Sequence, residues 1–460
     1  MNDFPDALSP ILVKELRQGL RTRVFSLAFL TLQIVLALFM IAGLGNADGE
    51  VITGIFWFLV YLIFLVILPL RGLGSIQSEV KERTLDLVSL TRLSSFRLCF
   101  GKWAALFTQS LLFCVAVLPY VFIRYFFGGV DLVMELALLA VALLVCGLFC
   151  AIAIALSSLL HGLTRTLIII SFVLFLLSSS GNLLFAGMIN NNWNVLHPGY
   201  WSLAIILVLA GVFLLTSASA TRIASQAENY STTRRLVILG LTLGSLILSG
   251  FLGEAFLAIA YVSVSFASID VLTERNSPVA SVHRPFRRRI WLRPLQAVLS
   301  PGWASGTLFL LLLLALTGSF LLVAPGVFRT SDPLQLVNIH LASATTALFP
   351  LLLATFISSH EKDPFPPYFY LQIACLAVGG FFLLLSMSGD APLIGWLGSP
   401  LPHTSLFLSL ADDSDFPSSS LAVLNVTVLL VLLVLIGRRG RAYRRERDAA
   451  LRELVHSESP

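Results

Sequence analysis

Apolar runs of about 20 residues follow one another along this chain of 460 residues, and they limit what it can fold into. A run of that length crosses the hydrocarbon layer of a bilayer, about 30 Å thick, as a helix whose backbone groups bond to one another. Twelve candidate spans are found, at about 24–44, 51–70, 103–127, 134–159, 166–188, 200–217, 236–252, 255–272, 304–326, 338–358, 368–388 and 421–437. The pattern predicts an all-α fold: a polytopic helical membrane protein with about twelve transmembrane spans.

The composition argues against an ordinary water-soluble domain. Charged residues make up 12% of the chain, against about 25% in soluble domains. Charged, amphipathic residues precede the first run and no short apolar region with a cleavage site follows, so we expect that run to be an uncleaved anchor. The five cysteines and seven histidines form no metal-type spacing, which leaves a metal enzyme without support.

The distribution of Lys and Arg predicts the orientation. With the N-terminus inside, 28 of the 30 cations fall on the cytoplasmic side, where such residues are enriched. Arg124 and Arg329 remain for the other side, and the predicted outer loop 389–420 carries four aspartates and no cation. We therefore expect both termini in the cytoplasm.

An amphipathic segment, residues 1–23, precedes the first span. Ser9 and Pro10 supply an N-cap residue and a proline at the first helical position. Apolar residues that include Leu12 and Leu16 then fall near one face, and charged residues that include Lys14, Glu15 and Arg17 occupy the rest. This pattern favours a helix lying in the inner headgroup plane over a generic basic flank of the first span.

The segment between the second and third spans is too long for a simple turn. Glu79 and Arg83 stand four residues apart, as in a helix-supporting ion pair, and Leu85 and Leu87 add an apolar side. A short cytoplasmic helix at about 78–92 is predicted, suited to a groove on a partner protein. The alternative is a solvated loop.

Three stretches together resemble the ABC-2-type permeases, the membrane subunits of one class of ATP-binding-cassette exporters. They are PILVKELRQGLRTR before the first span, ERTLDLVSLTRLSS after the second, and GKW at the third. The resemblance covers roughly residues 8–220 and implies a six-span permease unit at 24–220. It also implies that the segment 78–92 is a coupling helix, whose contacts with a separate ATPase would be made by Glu79, Glu82, Thr84, Leu85, Asp86 and Leu87.

The resemblance implies the permease subunit of an exporter in the bacterial inner membrane, with an unidentified substrate. Its partners would be a cytoplasmic ATPase, a second permease copy or paralogue, and membrane lipids. The sequence itself carries no P-loop, because Gly101-Lys102 is followed by Trp103 and lacks the upstream glycine. We therefore expect no cofactor and no enzymatic activity in this chain, with ATP and magnesium on the partner. A secondary transporter and a non-transporting membrane scaffold are the alternatives.

The second half, residues 221–437, repeats the spacing of spans around a basic cytoplasmic loop, 273–303, and a basic tail follows at 438–460. Anionic lipid is the expected contact of that loop, a partner protein is the alternative, and nucleic acid is not expected. This half is either a degenerate second permease unit or an accessory bundle.

Few charged residues fall within the predicted spans. Arg124, Asp131, Glu135 and Glu254 lie near predicted outer ends, where we expect water or snorkelling to satisfy them. Gln33, Gln109 and Asn425 lie inside spans and are expected to bond between helices rather than to bind a substrate.

Overall fold

The computed structural model describes most of the chain. The described residues are 10–43, 49–81, 94–127, 131–159, 162, 166, 168–171, 198–224, 228–252, 257–273, 293–323, 333–357, 365–388, 392–411 and 417–458. Within these ranges the ordered elements are helices and there is no strand. The chain divides into two compact units, Met1–Ala224 and Ser225–Pro460.

The first unit is built on long apolar helices that follow a short amphipathic one. Its helices are α1 (Pro10–Leu20), α2 (Arg23–Gly43), α3 (Gly49–Tyr61), α4 (Leu68–Leu70), α5 (Ser75–Lys81), α6 (Ser95–Phe127), α7 (Leu132–Ser157) and α8 (Pro198–Ile223). Asp131 caps α7 by accepting the N–H of Val133 at 2.9 Å, which satisfies a donor that the helix itself cannot.

The second predicted span is a helix that changes its winding. After α3 comes a π-helical turn at Leu62–Ile67, then α4, a 3-10 turn at Arg71–Gly74, and α5. Pro69 lies at the centre of this change. Proline has no N–H to donate, and its ring crowds the carbonyl four residues earlier, which favours a local change of helical winding.

The second unit also consists of helices, joined by short turns, in its described part. Its helices are α9 (Ser231–Leu252), α10 (Leu257–Thr273), α11 (Arg293–Leu299), α12 (Trp303–Val323), α13 (Pro333–Ile357), α14 (Phe365–Ser388), α15 (Pro392–Gly398), α16 (Pro402–Ala411) and α17 (Ser418–Glu458). Residues 274–292, most of the predicted basic loop 273–303, lie outside the described ranges.

Ten helices in the described residues are long and apolar enough to cross a membrane. They are 23–41, 53–77, 95–126, 132–157, 204–223, 231–250, 303–323, 334–357, 365–386 and 419–441. The eighth predicted span appears as a shorter apolar helix at Ile259–Leu272, and most of the fifth, 172–188, lies outside the described residues. The all-helical, multi-pass fold class is confirmed, and the total of twelve spans stays a prediction.

Apolar side chains cover the outside of α2 as well as its inner face. Leu32 and Leu36 are buried in a core with Phe56, Phe64 and Phe113. On the opposite face a stripe of apolar residues is more than half exposed: Val24, Leu27, Leu30, Ile34, Leu38 and Ile41. A continuous exposed stripe of this kind is expected where lipid is the solvent.

Candidate functional site

A buried lysine joins three helices at one end of the first unit. Lys102, in the second turn of α6, donates to Oε1 of Glu15 in α1 at 2.8 Å and lies 2.9 Å from Oε1 of Glu79 in α5. The Lys102 side chain is 4% exposed, and those of Glu15 and Glu79 are 19% and 11% exposed. Charge-assisted bonds of this length are strong, and partial exclusion of water strengthens them. We call these three residues the Lys102 cluster.

Two glycines let α1 lie directly against α6. A Cβ on Gly101 would stand 2.9 Å from Cγ2 of Ile11, and one on Gly19 would stand 2.2 Å from Nε2 of Gln109. Ile11 is accordingly buried. Small residues at a helix contact allow two backbones to approach closely. Part of the apolar side of α1 therefore packs on protein.

Arg71, in the 3-10 turn, holds the other end of α1. Its guanidinium donates to the carbonyl of Gly19 at 2.9 Å, to Oγ1 of Thr22 at 3.0 Å, and to Oε1 of Gln109 in α6. It also lies 5.4 Å from the centre of the Phe25 ring. A planar guanidinium can serve several acceptors at once. Arg71 and the Lys102 cluster therefore connect the same three parts: α1, the end of the second span, and the start of α6.

The short helix α5 is fixed at both ends. Oγ of Ser157, at the end of α7, accepts the N–H of Ile76 at 2.8 Å and that of Gln77 at 3.3 Å. These first-turn N–H groups have no acceptor within their own helix. Glu79 then attaches the other end of α5 to Lys102. The chain continues from α5 directly into residues 82–93, which lie outside the described residues.

One of the six residues predicted to contact an ATPase is described. The Glu79 carboxylate is turned inward onto Lys102, and the residue is buried. The other five lie outside the described residues: Glu82, Thr84, Leu85, Asp86 and Leu87. Contact of this segment with a partner stays a prediction.

Of the five residues assigned to the interfacial helix, two are exposed and three are partly buried in the protein. Lys14 and Arg17 are exposed on α1, whereas Leu12 and Leu16 are half-buried and Glu15 belongs to the Lys102 cluster. The position of α1 in the headgroup plane stays a prediction.

A cavity of about 440 Å³ lies beside the Lys102 cluster and Arg71. Its charged lining residues are Lys14, Glu15, Arg71, Glu79 and Lys102. Gln18, Thr22, Ser75 and Gln109 add polar groups, and Val24, Ala105 and Leu106 add apolar ones. Sequence reasoning missed this cavity because its walls come from α1, the end of the second span and α6, which only the tertiary fold brings together.

A second buried ion pair lies at the opposite end of α6. Nη1 of Arg124 donates to Oε2 of Glu135 at 2.8 Å, and Nη2 donates to Oγ1 of Thr53 at 2.8 Å. Nε1 of Trp57 donates to the other carboxylate oxygen of Glu135 at 3.3 Å. Both charged residues are buried, so the prediction that water or snorkelling satisfies them is wrong for this pair. The sequence does contain a signal for this ion pair, because residues of opposite charge lie on either side of the short connection between α6 and α7.

The second unit contains a cluster that sequence reasoning missed. Arg234 and Arg235, in the first turn of α9, both donate to the carboxylate of Asp270 near the end of α10. Arg235 also donates to the carbonyls of Val298 and Ser300, each at 2.7 Å. All three charged side chains are almost fully buried. The distribution of Lys and Arg places both arginines in a predicted inner segment, and nothing in the sequence distinguishes them from solvated cations.

The three uncharged polar residues in spans bond between helices, as predicted. Tyr120 of α6 donates to Oε1 of Gln33 in α2 at 2.9 Å, and Gln109 accepts from Arg71. Ser405 of α16 donates to Oδ1 of Asn425 in α17 at 2.5 Å. Glu254, predicted near an outer end, lies outside the described residues.

Comparison with protein-family models, with curated proteins and with solved structures found no match to this chain. Across the described ranges no group of three or more His, Cys, Asp and Glu side chains is arranged to hold a metal ion.

Proposed function

We propose that this chain is the membrane subunit of an ATP-driven exporter and that a separate cytoplasmic ATPase drives it through residues 78–92. The observation that carries the proposal is the position of Glu79. This residue lies in the described part of the predicted coupling segment, residues 78–81, and its carboxylate bonds the lysine that also holds α1.

The contacts around Glu79 connect α5 to the neighbouring helices, and we call them the junction. A force on residues 82–93 would reach α5 through the continuous backbone, α6 through Lys102, and α7 through Ser157. Glu15 passes the same displacement to α1. Coupling between sites travels through packed side chains and ion pairs of this kind when they have more than one stable arrangement.

The absence of a P-loop in the sequence supports an external energy source. A phosphate-cradling loop needs GxxxxGK[ST], and the chain has no such motif. Within the proposal, the ATPase subunit supplies nucleotide chemistry, and this chain supplies the helices that move.

The proposal is tested by purifying the full-length chain from its native membranes. We expect a polypeptide containing GxxxxGK[ST] to co-purify and to hydrolyse ATP. Charge reversal by Glu82→Lys with Asp86→Lys is expected to abolish co-purification, because both carboxylates would face the partner. Asp413→Lys, on the predicted outer loop, is the matched control and should retain the partner.

A second variant separates binding from coupling. Lys102→Met leaves residues 82–93 unchanged, so the ATPase should still co-purify, while its hydrolysis should no longer respond to the membrane subunit. Co-purification that is indifferent to reversal at Glu82 and Asp86, or the lack of any such ATPase, would overturn the proposal.

A further inference from the structure

We propose that the cavity of the first unit binds the phosphate headgroup of an anionic glycerophospholipid, whose acyl chains lie along the exposed face of α2. This inference does not depend on the proposed function, because it rests on the cavity and on the apolar stripe beside it.

The charges of the cavity suit one phosphodiester. Lys14, Arg71 and Lys102 line it together with Glu15 and Glu79, which leaves one net positive charge. A glycerophospholipid with an uncharged headgroup alcohol brings one negative charge. Lys102 is already engaged by both carboxylates, so Lys14 and Arg71 are the cations assigned to the phosphate. The Arg71 guanidinium contributes a positive charge beside that phosphate while its terminal nitrogens donate to Gly19, Thr22 and Gln109.

The wall of the cavity continues into a lipid-facing surface. Val24 lines the cavity and is also the first residue of the exposed apolar stripe of α2. The stripe runs to Ile41, a helical length of about 26 Å at about 1.5 Å per residue. One leaflet contributes about half of the 30 Å hydrocarbon layer, so the stripe is long enough for a full acyl chain. The charged cavity suits the polar headgroup of an amphiphilic molecule, and the adjoining apolar stripe suits its acyl chains.

Free inorganic phosphate is the competing occupant with the same headgroup chemistry. It would fill the charged part of the cavity but would gain nothing from Val24 and the stripe. Binding of a phospholipid should therefore depend on its acyl chains, whereas binding of inorganic phosphate should not.

One wall residue of the cavity has open space beside its Cα and accepts a bulky substitution. Gly74 lines the cavity, and a Cβ at this position would meet no other atom within 4 Å. Gly74→Leu therefore adds apolar bulk at the wall of the space assigned to the headgroup. The matched control is Gly240→Leu, since Gly240 lies in α9 of the second unit and a Cβ there also meets open space.

A charge variant probes the same site. Lys14 is exposed on α1 and lines the cavity, so Lys14→Gln removes one cation assigned to the phosphate. Arg21→Gln is its control, because Arg21 is an exposed cation just beyond α1 that does not line the cavity.

The experiment is a titration of the delipidated full-length chain in detergent with palmitoyl-oleoyl-phosphatidylglycerol, followed by native mass spectrometry. We expect the first bound lipid to be weakened at least about tenfold by Gly74→Leu. Lys14→Gln should weaken it about fivefold, the size of one cation near anionic lipid. Both controls should bind as the natural chain does.

Two results would overturn the assignment. One is unchanged first-lipid binding in both Gly74→Leu and Lys14→Gln. The other is displacement of the lipid by an equal concentration of inorganic phosphate, which would make the cavity a site for the free anion. Loss of ATPase co-purification would leave this assignment untouched, so the two proposals fail separately.

Discussion

Replacing Lys102 by methionine should destabilise the first unit more than any other single change to its charges at that end. Methionine preserves most of the side-chain length and removes the ammonium. The carboxylates of Glu15 and Glu79, which now lie 2.8 and 2.9 Å from Nζ, would then face each other without a cation.

The magnitude follows from burial. Breaking a buried ion pair by removing one partner costs about 3–5 kcal/mol, because the remaining charge loses its compensation. The Glu15 side chain is still one-fifth exposed and can regain some water, so we expect the lower end, about 3 kcal/mol. Glu15→Gln alone should cost about 1 kcal/mol, since Lys102 would keep Glu79 as a partner.

The assay is equilibrium unfolding of the full-length chain in mixed micelles of dodecyl maltoside and sodium dodecyl sulfate, followed by circular dichroism. Lys102→Arg is the charge-conserving control. The triple variant Glu15→Gln, Glu79→Gln, Lys102→Met removes all three charges and should recover most of the loss, to within about 1 kcal/mol of the natural chain. Coupling of this kind is expected only for groups in direct contact.

Two results would refute this reasoning. A cost below about 0.5 kcal/mol for Lys102→Met is typical of a surface substitution and would mean that the cluster is solvated. A triple variant no more stable than Lys102→Met would mean that lost packing, and not unpaired charge, causes the effect.

Three further predictions use the same chain. Arg124→Leu should cost about 3 kcal/mol in the mixed-micelle assay, and adding Glu135→Leu should restore stability, because no buried charge then remains. Gly19→Leu should force Gln109 away and lower the midpoint of thermal unfolding, measured by size-exclusion after heating, whereas Gly240→Leu should not. Asp270→Asn should leave two buried arginines with a neutral partner and cost about 3 kcal/mol in mixed micelles, against a negligible cost for Asp413→Asn.

The helices were largely predictable because membrane spans are encoded by local composition. A run of apolar residues is sufficient to fix a helix in lipid, whatever its neighbours are. The same reasoning could not anticipate the changes of winding around Pro69, since an apolar sequence does not reveal how a span accommodates a missing donor. It also gives no sign of the close contact between α1 and α6 that Gly19 and Gly101 allow.

The candidate site was predictable only in part. The helix-supporting charge pattern of the inner segment points to Glu79, but it does not reveal that the Glu79 carboxylate lies 2.9 Å from the ammonium of Lys102 in the fold. Only the tertiary fold brings Glu15, Glu79 and Lys102 together, because long stretches of chain separate them in the sequence. Hydropathy likewise treats Asp270 as one tolerated charge in an apolar run and carries no information about the two arginines that neutralise it.

The Lys102 cluster has one cation and two carboxylates, whereas the cluster around Asp270 has two cations and one carboxylate. The two clusters therefore differ in the cost of losing one partner. In the Lys102 cluster, withdrawing Glu79 leaves Lys102 with Glu15 as a neutral pair, so the release costs less than breaking an isolated buried pair. In the second unit, withdrawing Arg235 would also leave a neutral pair at Asp270, but the carbonyls of Val298 and Ser300 would each lose a charge-assisted hydrogen bond as well. The first arrangement can exchange a partner at modest cost and the second cannot. The proposed moving junction is therefore assigned to the first unit, at Glu79 in the predicted coupling segment.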